Sequence, residues 1–146
     1  MQKLRYFLLA SFEFATPFSV EASSAERSSQ LTAVESIINA VNEKNAANYV
    51  KPFAQDVEVY VDSDVKVKGK ESLRLNREHH FKQHPEVRSE IQYLVEIDNK
   101  VVMHDKVWLT NSDDSRDIVE IFTFENGKIT KVDVIQPSDL FAQREH

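Results

Sequence analysis

Hydrophobic and polar positions alternate with two different periods along the chain, and the changes of period divide it into helices and strands. A first helix is predicted from an apolar stripe at helical spacing, formed by Val34, Ile37, Ile38 and Val41. The motif "TAVE" has the form of a capping box, so this helix is predicted to begin at Thr32. A shorter helical segment, "AANYVKPF", is predicted to end near Pro52, because proline interrupts helical hydrogen bonding.

The following segments alternate with a period of two, as half-buried strands do. One side of a predicted strand is formed by Val57, Val59 and Val61, after which "DSD" predicts a turn and "VKVKG" continues the alternation. A helix is predicted over residues 70–84, because Pro85 ends it. Its inward stripe is predicted to be Leu73, Arg77 and Phe81.

Four strands are predicted after this helix. The first is predicted from the alternating row Ile91, Tyr93, Val95 and Ile97. The other three are "VVMHDKVWL", "DIVEIFTF" and "ITKVDVI", separated by the turn signals "NSDDS" and "ENGK". Helices grouped before a run of strands indicate an α+β domain, with about three N-terminal helices on one face of a curved antiparallel sheet. No parallel crossover is required.

Composition excludes several classes of protein. The 146 residues are 41% hydrophobic and 29% charged, which is typical of one soluble domain with a substantial core. A net charge of −6 argues against a nucleic-acid partner, because phosphates repel an acidic surface. The absence of cysteine excludes disulfides, thiolate metal sites and a cysteine nucleophile. Neither of the two glycines lies in a nucleotide-binding motif, so no cofactor is predicted.

Residues 1–22 have the layout of a secretory signal peptide. Lys3 and Arg5 precede an apolar run, and Ala22 completes an A-x-A-like cleavage frame. Glu13 interrupts the apolar region, so the alternative is an uncleaved, partly disordered N-terminal arm.

The predicted boundaries follow from this interpretation. Residues 23–30 are predicted to be a polar linker, and residues 31–146 the folded domain. A genuine signal peptide would place the protein in the periplasm or outside the cell, and otherwise it would be cytoplasmic. No stretch contains the roughly 18 consecutive apolar residues that a membrane span requires.

Three histidines cluster in "EHHFKQHPE", at the end of the third predicted helix. His80 and His84 are four residues apart, a spacing that can ligate zinc when further ligands are present. The alternative is that they are donors and cations near the free carbonyls of a helix C-terminus. We favour the helix end, and we predict no metal site.

The later strands carry the candidate chemistry. Glu120 interrupts the apolar row Ile118, Phe122 and Phe124. A buried carboxyl group either finds a partner or stays protonated, so Glu120 is a candidate acid, base or hydrogen-bond donor. Its alternative is a position at the rim or facing solvent. His104 is a candidate proton carrier or a core imidazole bonded to the backbone, and Trp108 a candidate wall for a flat ligand.

The order of elements resembles the SnoaL-like branch of the nuclear transport factor 2-like superfamily. The likeness is carried by "YVKPFAQDVEVYV", "KGKESLRLNREHHFKQHPEVRSEI" and "DNKVVMHDKVWL…VEIFTFENGKITKVDVI", and it covers about residues 31–135. It implies a cone-shaped curved sheet that encloses a pocket, and a sheet face that pairs with a second copy in a homodimer. The superfamily includes isomerases, cyclases, epoxide hydrolases and pockets without chemistry, so the likeness implies no single activity.

Residue by residue, the resemblance to the steroid isomerases of this superfamily is partial. The place of their catalytic aspartate falls on Val61, with Asp62 one step along, and that of their first-helix tyrosine falls on Ile37. Their second acid, a protonated donor to the substrate oxyanion, falls on Glu120. Without the aspartate base, their isomerisation is not expected. The predicted ligand-binding residues are Trp108, Phe122, Val61 and Ile37.

Two kinds of function remain open. The first is a small-molecule enzyme of isomerase, cyclase or lyase type, acting on an apolar carbonyl or ring compound. In it Glu120 would donate to the developing oxyanion and His104 would move the proton. The second is a non-catalytic, exported domain that binds a ligand or dimerises, in its limiting form an interaction domain with a filled core.

Overall fold

A computed structural model describes residues 27–138, which contain three helices and six strands. The helices are α1 (Ser29–Glu43), α2 (Ala46–Tyr49) and α3 (Lys70–Gln83). The strands are β1 (Phe53–Val61), β2 (Asp64–Lys68), β3 (Arg88–Ile97), β4 (Lys100–Trp108), β5 (Arg116–Glu125) and β6 (Lys128–Ile135). The predicted signal peptide lies outside the described residues. None of the helices in this part of the chain is both long enough and apolar enough to cross a membrane.

Helix α1 begins one turn before the predicted capping box. The side-chain oxygen of Ser28 accepts a hydrogen bond from the Leu31 amide at 3.1 Å, which makes Ser28 the N-cap. Thr32 lies inside the helix, where its amide donates to the Ser28 carbonyl at 3.0 Å. The predicted start was wrong because an earlier serine already satisfies the free amides of the first turn. The helix therefore extends into the last two residues of the predicted linker.

Six strands form one mixed sheet in the order β2-β1-β6-β5-β4-β3. The predicted meander from β3 to β6 and the β1–β2 hairpin are confirmed, and their pairs are antiparallel. Strands β1 and β6 pair in parallel, so the sheet is mixed, whereas the sequence predicted an antiparallel sheet. The difference arises because the meander returns its last strand alongside β1 in the same direction.

Strand β3 contains a β-bulge that the alternation did not predict. Ile91 is paired with Asp105 and Tyr93 with His104, so Gln92 is an extra residue without its own partner on β4. One extra residue exchanges the two faces of a strand. Ile91 therefore points inward, whereas Tyr93, Val95 and Ile97 point outward, and the predicted row does not share one face.

The helices cover only the inner face of the sheet. One core cluster joins residues of all three helices to the inner face, and its members include Val34, Ile37, Tyr49, Phe53, Val57, Leu73, Phe81, Val101, Met103, Phe122 and Ile129. Helix α3 contributes Leu73 and Phe81, as predicted. Within residues 27–138 no helix covers the outer face, and its exposed apolar side chains are Tyr93, Val95, Ile97 and Ile135.

The histidine cluster is the end of α3. The His84 amide donates to the His80 carbonyl at 2.9 Å, and their ring centroids lie 4.8 Å apart. In residues 27–138 no group of three or more histidine, cysteine, aspartate or glutamate residues is arranged to hold a metal ion. His80 lies in the last turn of α3, and His84 is the C-cap residue that follows it.

Candidate functional site

Glu120 lies on the inner face of the sheet, in a cross-strand row that is otherwise apolar. Its neighbours across β4 and β6 are Met103 and Val134, and Val61 on β1 follows Val134. The Glu120 side chain is partly buried. The structure thus brings the predicted acid and the predicted ligand-binding residue Val61 into the same row, with Val134 between them.

Asp105 is a second acid on the same inner face. It is paired with Ile118 on β5, two residues from Glu120, so the two acids are diagonal neighbours on adjacent strands. Diagonal positions of this kind are about 7–8 Å apart between backbones, within reach of long side chains. Only 1% of Asp105 is exposed, and its Oδ1 has no hydrogen-bond partner among the described residues.

Burial sets the protonation of this pair. Desolvation raises the pKa of Asp105 to about 6, although the Ser89 hydroxyl and the charge of His104 partly offset the effect. Desolvation is the main cause that raises the pKa of Glu120 to about 8, and the charge of Asp105 is the second. The charge of Arg77 partly offsets both. The two values belong to the pair, because ionising one carboxyl makes the other harder to ionise. At a pH between these two values, Asp105 and Glu120 together hold about one proton.

Helices α2 and α3 contribute two polar side chains to the same region. The Arg77 guanidinium lies over the Tyr49 ring, 5.6 Å from its centroid. Burial raises the pKa of Tyr49 well above its usual range, and the charge of Arg77 partly offsets this. Since the charges of both acids also raise the pKa of Tyr49, the four groups form one electrostatic cluster. We refer to Tyr49, Arg77, Asp105 and Glu120 as the inner cluster.

The inner cluster can supply both kinds of proton-transfer group. At neutral pH it contains a carboxyl group that can donate a hydrogen bond, a carboxylate that can accept one, and a guanidinium that can stabilise an anionic oxygen. A pair of titratable groups whose environments separate their pKa values is a common basis for acid and base assignments. Asp105 is nearly inaccessible, so Glu120 is the carboxyl that can contact a ligand.

The structure does not bring His104 to Glu120. His104 is paired with Tyr93 and Val119 on the outer face, its Nε2 lies 2.8 Å from the Asp117 carboxylate, and its ring stacks on Tyr93. It has the opposite strand parity to Asp105, which occupies the inner position in β4. The predicted pairing of an acid and an imidazole in one cavity is therefore wrong.

Trp108 has the same parity as His104 and also lies on the outer face. The Arg88 guanidinium lies 3.8 Å from its ring centroid. The aromatic surface predicted to support a flat ligand is thus covered by a cation on the side away from the helices. Trp108 thus lies apart from the inner cluster, and its role as a wall for a flat ligand stays a prediction.

Ile37 and Phe122 lie in the core rather than at an accessible surface. Ile37 on α1 is 1% exposed and Phe122 on β5 is 0% exposed. Phe122 is one inward position from Glu120, between Val101 and Val132. Both side chains belong to the core cluster in this structure, and a direct role in binding stays a prediction.

Sequence reasoning missed Asp105, Tyr49 and Ser89 as members of the site. A signal for Asp105 was present, since it is the charged residue in the inward row Val101, Met103, Asp105 and Val107. Arg77 was placed on the inward stripe of α3 without a role. Considering every charged residue on an apolar face together would have found the pair of acids.

Three helices that close over one face of a curved, unclosed mixed sheet define the nuclear transport factor 2-like class of α+β proteins. The sequence profile of the SnoaL-like domain matches residues 34–132, and the chain belongs to this family. A comparison with curated protein sequences gives no significant match.

Solved structures agree with the fold. A protein with a cystatin fold from Novosphingobium aromaticivorans is 25% identical, with a TM-score of 0.68 over 74% of this chain and 98% of that one. TerC, crystallised with polyporic acid, is 16% identical, with a TM-score of 0.68 over 80% and 97%. A proposed ketosteroid isomerase from Kribbella flavida is 12% identical, with a TM-score of 0.64 over 75% and 78%. The last two show similarity of fold alone.

Proposed function

We propose that this protein binds a small apolar carbonyl or ring compound over the inner face of its sheet and acts on it by acid/base catalysis. The observation that carries the proposal is the pair Asp105 and Glu120, two acids at diagonal positions on the otherwise apolar inner face, both with raised pKa values. Perturbed titratable groups that converge in this way are typical of functional sites. The family and its structural relatives support a pocket of this kind.

Each residue of the inner cluster has a separate role in this proposal. Glu120, in its protonated form, donates a hydrogen bond to the carbonyl oxygen of the ligand and transfers its proton as negative charge develops there. Asp105 does not touch the ligand, and its negative charge adds to the effect of burial in raising the pKa of Glu120, which keeps Glu120 protonated at neutral pH. Arg77 stabilises the developing oxyanion from the helix side. The apolar neighbours Met103 and Val134 favour an uncharged ligand body.

A ligand screen tests this proposal. The chain is screened by thermal unfolding against steroid-like ketones, polyketide-like ring compounds and dihydroxyquinones, the class to which polyporic acid belongs. A ligand at a hundred times its dissociation constant adds roughly 2.7 kcal/mol to the free energy of unfolding, a shift that is easily measured. We expect a hit whose affinity falls about tenfold in Glu120→Leu, because the ligand oxygen loses its donor.

Two variants separate binding from catalysis. Glu120→Gln keeps a neutral donor but has no proton to transfer, so it should bind the hit almost as well as the wild type and turn it over far more slowly. The matched control is His104→Ala, on the outer face of the sheet, which should bind normally. A hit that is lost in His104→Ala and unchanged in Glu120→Leu would contradict the proposed site.

The uncovered outer face favours a second, compatible function, which is dimerisation through the sheet. Two cross-strand rows on this face are largely apolar, with Val95, Val102 and Ile121 in one and Tyr93, His104, Val119 and Ile135 in the other. Exposed apolar patches of this kind mark interaction sites. We propose that a second copy covers them.

The oligomeric state tests the dimer directly. We expect light scattering after gel filtration to give the mass of a dimer for the wild type and of a monomer for Val95→Glu, which places a charge among the exposed apolar side chains of the patch. Val65→Glu is the matched control, since Val65 is an exposed apolar residue on β2 at the far edge of the sheet. A monomeric wild type at micromolar concentration would contradict the proposal.

A further inference from the structure

Strand β3 is an edge of the sheet, and at one point its free edge is bound by a side chain from α1. The Ser89 amide donates to Asn42 Oδ1 at 2.8 Å, and Asn42 Nδ2 donates to the Ser89 carbonyl at 2.9 Å. The Asn42 amide thus satisfies both backbone groups of Ser89 as a neighbouring strand would. These two bonds fix the position of Ser89 relative to α1.

The hydroxyl of the same serine faces inward and donates to Asp105 Oδ2. Ser89 is 7% exposed, and it and Asp105 are the buried polar residues of the described chain. Hydrogen bonds to charged groups are stronger than those between neutral groups, particularly where water is excluded. The bond therefore restrains rotation of the Asp105 carboxyl group.

The sheet order determines which oxygen of Asp105 stays open. Strand β4 lies between β3, which carries Ser89, and β5, which carries Glu120. Ser89 binds Oδ2 from the β3 side, and Oδ1 is the oxygen that it does not bind. Oδ1 is the buried oxygen that has no hydrogen-bond partner within residues 27–138.

We infer that Ser89, held by Asn42, is a positioning residue that fixes the Asp105 carboxyl group with Oδ1 toward Glu120 and thereby keeps the proton of the pair on Glu120. The inference deepens the proposed function, because it states how the candidate acid is kept in its protonated form. Ser89 itself contacts neither ligand nor reacting atoms. It acts through Asp105, and Asn42 acts through Ser89.

The charges that reach the pair come from elements on every side. Arg77 on α3 lowers the pKa of Glu120, His104 on β4 lowers that of Asp105, and Asp117 on β5 raises that of Asp105. Tyr49 on α2 faces both acids and remains neutral. None of these groups is altered by a change at Ser89, so an effect of that change on titration reports the hydrogen bond.

The test is an NMR titration of the carboxyl carbons in the full chain, without ligand, from about pH 4 to about pH 10. The wild type is expected to show two linked steps for Asp105 and Glu120. In Ser89→Ala the lower step should rise by about one pH unit, a tenfold change in the dissociation constant, because the ionised Asp105 loses its donor. The separation of the two steps should narrow accordingly. Ser89→Thr keeps the hydroxyl and should restore the wild-type curve.

Two further variants make the result decisive. Ser36→Ala removes a serine whose hydroxyl donates to the Ala33 carbonyl on the exposed side of α1, and it should leave both steps unchanged. Asn42→Ala leaves the serine hydroxyl in place but releases its backbone, and it should move the lower step in the same direction by a smaller amount. Should Ser89→Ala not fold, Asn42→Ala and Ser89→Thr provide the same comparison.

The inference is overturned if the lower step stays at the wild-type position in Ser89→Ala, or if Ser89→Thr moves it equally far. This outcome is independent of the ligand screen, since the titration uses no ligand. If the lower step rises in Ser89→Ala as expected but no compound binds in the ligand screen, the proposed function alone is overturned. If a compound binds at Glu120 but the lower step does not move in Ser89→Ala, the role of Ser89 alone is overturned.

Discussion

Glu120→Gln is expected to stabilise the protein at pH 9 by about 3 kcal/mol and to change its stability little at pH 4.5. Glutamine has nearly the same shape and cannot ionise. The variant therefore removes the cost of placing a negative charge on the inner face while keeping the packing around it.

The sign follows from the direction of the pKa change. In the folded protein the pKa of Glu120 is raised from 4.5 to about 8, mainly by burial. Between these values the unfolded chain ionises while the folded protein holds its proton, so the wild type loses stability as the pH rises and the full cost is present above about pH 8. Its upper limit is about 5 kcal/mol, at about 1.4 kcal/mol for each tenfold change in the protonation equilibrium. Partial exposure of Glu120 lowers the expected value.

Urea unfolding at the two pH values measures this difference. The matched control is Glu125→Gln, an exposed glutamate at the end of the same strand, which should follow the wild type at both pH values. Equal stability of Glu120→Gln and the wild type at pH 9 would mean that Glu120 ionises without cost. The account of the pair as a buried proton-sharing unit would then be wrong.

Phe122→Ala is expected to cost about 3–5 kcal/mol of unfolding free energy, because it leaves a cavity in the centre of the core. Phe122 is fully buried and lies between Val101 and Val132 in the inner face. The sequence interpretation placed Phe122 at the ligand surface, where truncation would cost much less stability. The magnitude of the loss therefore discriminates between a core residue and a pocket wall.

The shift of the urea midpoint, at an unchanged slope of the unfolding transition, measures this loss of unfolding free energy. Leu75→Ala provides the comparison, since Leu75 is 52% exposed on α3 and its truncation should cost no more than about 0.5 kcal/mol. A loss below about 1 kcal/mol for Phe122→Ala, together with a fall in ligand affinity, would restore the predicted role at the ligand surface.

Local signals were sufficient to predict the elements. The stripe around Ile37, the stop at Pro85 and the alternation around Val59 each depend on residues close in sequence, and the observed elements agree. The parallel pairing of β1 and β6 depends on contacts some seventy residues apart, which no local period encodes. The cap at Ser28 was missed because two candidate caps lie one turn apart.

The candidate site was predictable only where it depends on a local pattern. Glu120 was found because one carboxyl interrupts an apolar row. His104 and Asp105 are adjacent in β4, and only the packing of α1 and α3 decides which of the two faces inward. An alternating pattern assigns residues to two faces but does not name the covered one. In β3 the extra residue also changes the assignment halfway along the strand.

Similarity of fold leaves the chemistry open, since the same architecture occurs in TerC and in a proposed ketosteroid isomerase at 16% and 12% identity. Functional inference in such a family depends on particular side chains. In the proposed function these are the two acids, and their proposed roles differ because Glu120 is partly exposed whereas Asp105 is buried.

The bulge at Gln92 also limits how this sequence can change in evolution. Deleting that single residue would leave Ile91 opposite Asp105 and Tyr93 opposite His104, so the rest of β3 would keep its faces, whereas deleting Val95 would turn Ile97 toward the core. Insertions and deletions in the exposed 110–115 loop would have no such effect. Gln92 can therefore be lost more readily than the paired residues that follow it in β3, and an alignment of relatives should place a gap in this strand at Gln92.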